Sequence, residues 1–256
     1  MLFGVYAEIT NTKSSGSKKN DTAIVNYDEL INNFNSNSMF DNKIHTGVNN
    51  KNTANTDYSS LIFSKYNIQD VKPGKYDIDV KIPELKIDGD IASGINDNIY
   101  NLYVPKLIDI ANNSKVQAIY YISYAAYVNY DVLSVVIKCT IKENSVTPQR
   151  VTLQTINYDL VNNKLLGIND VISIKGLKKD DMQSKINSDI SDKAKQTAQI
   201  SNITSGGNSL YQRNLNDDMY KVDNTKNFFL GEKGYLYIFY PYGNTNFTSD
   251  VDIVIF

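Results

Sequence analysis

The feature that most constrains this chain is strict alternation of apolar and polar residues. Tyr76-Asp77-Ile78-Asp79-Val80-Lys81-Ile82 repeats with period two, which is the spacing of a half-buried strand. Ala118, Tyr120, Ile122, Tyr124, Ala126 and Val128 continue it along one face of a second, longer strand. After a turn at Asn129–Asp131 the odd positions Leu133, Val135, Ile137, Cys139 and Ile141 are apolar, while Ser134, Lys138, Thr140 and Lys142 are polar. This is the pattern of an antiparallel hairpin with one wet face. In a third strand the phase changes, from Val151 and Leu153 to Ile156, Tyr158 and Leu160, which predicts a β-bulge near Gln154-Thr155. Pro83 is expected to end the pairing of the first strand.

Two longer stretches carry helical spacing. Ile91, Ile95, Ile99 and Leu102 form one stripe, with Asp88 or Asp90 placed to cap it and Pro105 placed to kink or end it. Met182, Ile186, Ile190, Ala194 and Ala198 form the other, with Asp180 and Asp181 at its positive end. Ser205-Gly206-Gly207-Asn208-Ser209 reads as a loop. The chain closes with Phe228-Phe229-Leu230, a turn at Gly231–Gly234, a strand Tyr235–Tyr240 and a strand Val251–Phe256. The predicted order from residue 75 is β-α-β-β-β-α-β-β-β. It describes an α+β domain, an antiparallel sheet with two main helices packed on one face.

Upstream of residue 75 the composition is different. Residues 1–7 are expected to be a signal-peptide remnant, because Val5-Tyr6-Ala7 resembles a cleavage site ahead of a polar stretch; a frayed terminus or a first strand from Leu2 to Ile9 is the alternative. Residues 8–74 read as a polar linker and N-terminal extension. Within them residues 22–70 are compatible with a small subdomain, an extension packed on the main domain or a partly disordered stretch, with a helical turn at Tyr27–Phe34. Nowhere is there an apolar run of membrane-spanning length. Extracellular or cell-surface location is the expectation.

The scarce residues limit the chemistry. The 256 residues include one His (His45), one Cys (Cys139), no Trp and two arginines, Arg150 and Arg213, with a formal net charge of −2. An internal disulfide framework, a His-rich zinc site and a CxxC pair are excluded on count. There is no basic surplus to favour nucleic acid. No cofactor or metal is called for, and no catalytic residues are assigned. His45 reads as a surface residue and Cys139 as a small core hydrophobe. The carboxylate pairs Asp88/Asp90, Asp180/Asp181, Asp217/Asp218 and Asp250/Asp252 read first as helix caps or solvated faces; facing pairs across a sugar would instead suit glycoside hydrolysis. Tyr235, Tyr237, Phe239, Tyr240 and Tyr242 cluster near the C-terminus, where they either offer a contact surface or line the core by alternation.

Several motifs resemble a known family. Tyr76-x-Ile78-x-Val80-x-Ile82-Pro83-x-Leu85 followed by Ile95-Asn96-x-x-Ile99 is similar to the start of the paired extracytoplasmic domains of the peptidoglycan deacetylase PdaC and the anti-sigma factor RsiV. Val132-Leu133-Ser134-Val135 follows. Then come Ile156-Asn157-Tyr158-Asp159-Leu160, Lys164-Leu165-Leu166 and Asn169-Asp170-Val171. Asn227-Phe228-Phe229-Leu230, Gly234-Tyr235-Leu236-Tyr237-Ile238 and Pro241-Tyr242 complete a set covering residues 75–256. The resemblance implies a secreted, non-catalytic binding module of a Gram-positive envelope, contacting a cell-wall glycan or an extracellular protein such as lysozyme. Two segments depart from the family pattern, Glu143–Arg150 and Gly243–Phe247. The contact residues expected near them are Arg150, Asn157, Tyr158, Tyr240, Tyr242 and Asn244. A cell-wall polysaccharide hydrolase using paired carboxylates is the alternative.

Overall fold

Each alternating strand has to bury its apolar row, and this chain does so in two sheets. The computed structural model describes residues 26–51, 57–114, 117–204, 213–242 and 250–256. The expected signal remnant, the linker through residue 25, the loop Ser205–Ser209 and Asn244 lie outside the described residues. In chain order the elements are α1 (Tyr27–Asn35), β1 (Ile44–Thr46), β2 (Ile62–Lys72), β3 (Tyr76–Leu85) and α2 (Asp90–Asn113). There follow β4 (Ala118–Asn129), β5 (Val132–Lys142), β6 (Arg150–Asp159), β7 (Lys164–Leu165), α3 (Ile168–Lys175) and α4 (Lys179–Thr204), then β8 (Phe228–Leu230), β9 (Leu236–Tyr242) and β10 (Asp250–Ile255). Among the described residues the fold is mixed α/β, with four helices and a large, mostly antiparallel sheet.

That sheet runs β2-β3-β4-β5-β6-β7, with β1 beside the far end of β4. β3 is parallel to β4, because α2 crosses over between them, and β1 is also parallel to β4. A second sheet, β10-β9-β8, is antiparallel. Three cores separate the layers. The even residues of β3 and β4, the odd residues of β5, and Ile156 and Tyr158 of β6 pack with Ile95, Ile99, Tyr103, Val104, Leu107 and Ile110 of α2. The opposite face of the large sheet, through Ala125, Val136, Val151 and Leu153, meets Phe229, Tyr237, Phe239, Val251, Ile253 and Ile255, joined by Leu30 and Phe34 of α1. Beyond the small sheet, Leu230, Leu236, Ile238, Tyr240 and Val254 pack with Val171 and Ile172 of α3 and Met182, Ile186 and Ile190 of α4. The layers are therefore helix, sheet, sheet, helix.

This stacking corrects several expectations. The two long helices lie on opposite sides of the paired sheets instead of on one face. The face of β5 expected to be wet is covered. Ser134 donates to Asn157 Oδ1 at 2.7 Å. Lys138 donates to Phe34 O and Asn37 Oδ1 and sits 4.4 Å from the Phe34 ring centroid, so it closes the C-terminal end of α1. Burial pushes its ammonium pKa down. The phase change in β6 needs no bulge, because pairing with β5 is continuous from Val132↔Asp159 to Ile141↔Arg150. The two phases instead serve the two cores on either side of the strand. A register shift falls opposite Pro83, between Ser64 and Tyr66 of β2, so β3 continues past a residue that cannot donate. Helix α2 likewise continues through Pro105 to Asn113; Val104, Leu107 and Ile110 are buried around it and offset the roughly 3 kcal/mol a mid-helix proline costs. Ile91 and Leu102 of the expected stripe are exposed.

The N-terminal extension is part of the fold. After β1, Val48 N–H donates to Asn129 Oδ1 at 2.9 Å, and Asn129 Nδ2 donates to Leu230 O and Gly231 O at 3.2 and 2.9 Å. Asn50 accepts from Asp131 N–H and donates to Val128 O, at 2.8 and 2.9 Å. The segment thereby ties the β4–β5 turn to the β8–β9 turn. Gly47 passes so close that a Cβ there would stand 1.9 Å from Asn129 Oδ1. Asn129→Ala strands the half-buried Val48 N–H and the buried Leu230 O and Gly231 O, and an expected loss of about 3 kcal/mol follows. Gly47→Ala should lose a similar amount, and urea unfolding monitored by tyrosine fluorescence measures both.

Candidate functional site

The elements leave two adjacent depressions on either side of the backbone strip Thr225–Phe228. The first is a groove of 480 Å³ between α2 and the outer edge of β6. Ile95, Ile99 and Leu102 line it from α2, Leu165 from β7 with Leu166 just after it, and Phe228 from β8; Asn98, Gln154, Thr155 and Lys226 add polar groups. Leu102 and Leu165 are each 52% exposed. The edge of β6 is open here. Among the described residues β7 pairs only with Tyr158 and Asp159, and Leu166 N–H reaches Asn157 O. Upstream, at Leu153 and Thr155, no described strand pairs with β6 on this side. Such an edge presents backbone donors and acceptors in a row, beside an apolar wall.

Across the strip lies a second cavity of 460 Å³, bounded by Met219, Asn224, Thr225, Asn227, Phe239, Tyr240 and Pro241. Lys226 borders both depressions. The strip is held firmly. Phe228 N–H donates to Thr155 Oγ1 at 3.3 Å, Asn157 Nδ2 donates to Phe228 O at 2.9 Å, and Phe239 N–H donates to Asn227 O at 3.0 Å.

The six residues expected to make contacts are distributed unevenly over this geometry. Asn157, Tyr158 and Tyr240 are buried, so none of the three lies on the outer surface. Asn157 spends its amide on Ser134 and Phe228, Tyr158 packs in the core beneath α2, and Tyr240 packs in the core against α4. Arg150 and Tyr242 are half-buried at the ends of β6 and β9. Tyr242 lies under Arg213, whose guanidinium carbon is 4.0 Å from the ring centroid, and burial raises its phenol to about 12. Asn244 lies outside the described residues. The tyrosine cluster follows alternation: Tyr237 and Phe239 face the large sheet, and Tyr240 faces the outer helices, because the small sheet is covered on both sides.

The carboxylates have structural partners. Asp252 accepts from Arg213 Nε and an Arg213 terminal nitrogen at 2.5 and 3.0 Å, and Arg213 also donates to Thr197 Oγ1 at 2.8 Å. This buried pair, which the sequence reading counted without placing, fastens β10 to α4. Asp217 caps a short 3-10 turn through Met219 N–H. Asp180 and Asp181 occupy the first turn of α4, as a helix dipole favours. Two other depressions each hold two carboxylates, Glu84 with Asp97 and Asp109 with Glu143. In the first Lys65 binds Glu84, and in the second Lys106 reaches Glu143 at 2.5 Å and Asp109 at 3.6 Å. A cation beside each pair neutralises the charge that acid–base hydrolysis would use.

The remaining reactive groups are also committed. His45 stacks on Tyr127 with ring centroids 4.9 Å apart, and its Nε2 is 2.9 Å from Asp41 Oδ2. Cys139 is buried, and burial raises its thiol to about 11. At pH 8 the native thiol should therefore react with a disulfide reagent about 100-fold more slowly than in urea, and stopped-flow absorbance measures the ratio. Asp252→Asn leaves Arg213 buried without its counter-charge, so an expected loss of about 3–5 kcal/mol in urea midpoint analysis follows. No helix among the described residues is long and apolar enough to cross a membrane. No protein-family model matches the chain, and no curated protein sequence matches it.

Proposed function

We propose that this chain is a secreted or cell-surface, non-catalytic binding module, whose partner is a cell-envelope glycan or an extracellular protein such as lysozyme. The observation that carries this reading is the groove beside β6. It joins an apolar wall, with half-exposed Leu102 and Leu165, to a row of backbone groups that no described strand occupies. An extended segment of a protein partner adds to such an edge through main-chain hydrogen bonds, while its alternate side chains enter the apolar groove. The family resemblance of residues 75–256 points the same way, towards an extracytoplasmic α+β domain. The alternative, a polysaccharide hydrolase, is less well supported, because the carboxylate pairs in the described depressions lie beside lysines.

The test uses purified lysozyme and purified peptidoglycan as probes. Leu102→Glu and Leu165→Glu place charges on the groove wall at exposed positions, so the melting temperature should stay within about 2 °C of the parent. Retention of the probe should fall at least tenfold in the double variant. Failure of the parent chain to bind either probe, together with glycan cleavage lost on substituting Glu84 or Asp97, overturns the reading.

A further inference from the structure

We propose that the depression between β2 and α2 receives a cationic side chain, an arginine on an extended segment of the partner protein, and that Lys65 holds its place until the partner arrives. This rests on the reading of the chain as a binding module with a protein partner, and concerns a depression across α2 from the groove along β6. Ser93, Asp97 and Tyr100 of α2 face it, whereas Asn98 and Leu102 face the groove. The starting observation is an aromatic pair beside two carboxylates. Tyr66 of β2 and Tyr100 of α2 stand with ring centroids 6.4 Å apart and planes inclined at 47°, and Glu84 and Asp97 line the same depression.

Lys65 shows what the depression takes. The register of β2 shifts between Ser64 and Tyr66, so Lys65 is the extra residue of a bulge, a device that re-aims a side chain out of the ladder. Its ammonium donates to Glu84 Oε2. That bond, with the charges of Glu84 and Asp97, raises the pKa of the lysine. The hold is loose. The Lys65 side chain is 48% exposed, and Asp97 has no ion pair among the described residues. An exposed lysine–carboxylate pair adds little net stability, so a better-matched cation displaces it.

The walls select that cation. Two carboxylates against one lysine leave the depression net negative, which disfavours a phosphate or a carboxylate. An apolar side chain would cover the carboxylates without bonding them. The volume of 260 Å³ is below that of small-molecule sites, roughly 300–1,000 Å³, and fits a single side chain. A guanidinium carries five donors in a fixed plane, so it can bond a carboxylate in pairs while its face lies on a tyrosine ring; the ammonium of Lys65 is a point charge without that fork. The way in is the sheet edge. β2 ends the large sheet, Asn67, Ile68 and Gln69 are exposed just past Tyr66, and among the described residues no strand pairs with its outer side. An extended segment running along this edge brings alternate side chains over Tyr66.

The experiment titrates the full chain with a pentapeptide amide of threonines around a central arginine and, separately, with its citrulline counterpart, following amide shifts by NMR. Saturable shifts at residues 64–68, 82–84 and 93–100 are expected with arginine and none with citrulline. Lys65→Met removes the resident cation and should tighten the arginine peptide at least threefold. Glu84→Gln should weaken it about tenfold, and Asp97→Asn and Tyr100→Leu about threefold each. Glu84 is half-buried and the other three positions are exposed, so melting temperatures should stay within about 2 °C of the parent. Absence of saturable shifts in both the parent and Lys65→Met overturns the proposal. So does equal binding of the citrulline peptide, so does an affinity that Glu84→Gln and Asp97→Asn leave unchanged, and so does an affinity that Lys65→Met fails to raise. Leu102→Glu and Leu165→Glu, across α2, should leave the arginine peptide unaffected. Loss of peptide binding while lysozyme or peptidoglycan is still retained therefore removes this site alone, and the converse pattern removes the groove reading.

Discussion

The side-chain amide of Asn129 is the interaction on which the rest of the architecture depends. It sits at the end of β4, fully buried, and bonds three backbone groups from two distant segments. One segment follows β1; the other begins the β8–β9 turn. Together with the bonds of Thr155 and Asn157 to Phe228, this amide gives the large and small sheets directed contacts, whereas apolar contacts alone are non-directional and tolerate sliding. Hydrogen bonds to defined backbone atoms fix their register instead. Gly47 is the complementary requirement, since no side chain fits against the Asn129 oxygen. Asn50 and Asp131 then pin the same loop to the β4–β5 turn, where Tyr130 and Asp131 both have positive φ. A turn with two such residues pays a conformational cost that the bonded neighbours offset.

Docking the sheets this way covers the small sheet on both faces. Its strands then have to be apolar at nearly every position, as Phe228–Leu230 and Leu236–Tyr240 are. Polar groups that do enter must be satisfied internally. Arg213 with Asp252, and Asn157 with Ser134 and Phe228 O, meet that requirement.

Period-two and helical spacing were legible in the sequence wherever one core decided the burial. The even residues of β3 and β4, the odd residues of β5, and Met182, Ile186 and Ile190 of α4 all face the core their spacing predicts. Legibility failed where two cores competed for one strand. Val151 and Leu153 point to one core and Ile156 and Tyr158 to the other, so a change of partner looks like a change of register. Lys138 reads as solvent-facing because nothing local announces that the C-terminal end of α1, about a hundred residues earlier, needs a donor. The motifs behind the family resemblance have structural work in this chain. Asn96 bonds both backbone groups of Leu85, Asn157 stitches β6 to β8, and Asp170 caps the start of α3 through Gly167 N–H. Residues of this kind mark a fold, and a ligand is not written in them. Tyr240 was singled out for its aromatic surface, whereas here its ring is packed in the core against α4.

The groove and the cavity are linked by one short piece of backbone. Thr225–Phe228 forms the wall between them, and Lys226 borders both. The hydroxyl of Thr155 and the amide of Asn157, both on β6, hold Phe228. A partner strand pairing with β6 would act on the same residues that position Phe228, and through it on Thr225 three residues away. An occupant of the cavity beside Tyr240 would in turn bear on the strip that frames the groove. Any difference in the strip's preferred position between the two occupied states appears as a coupling free energy, equal in both directions.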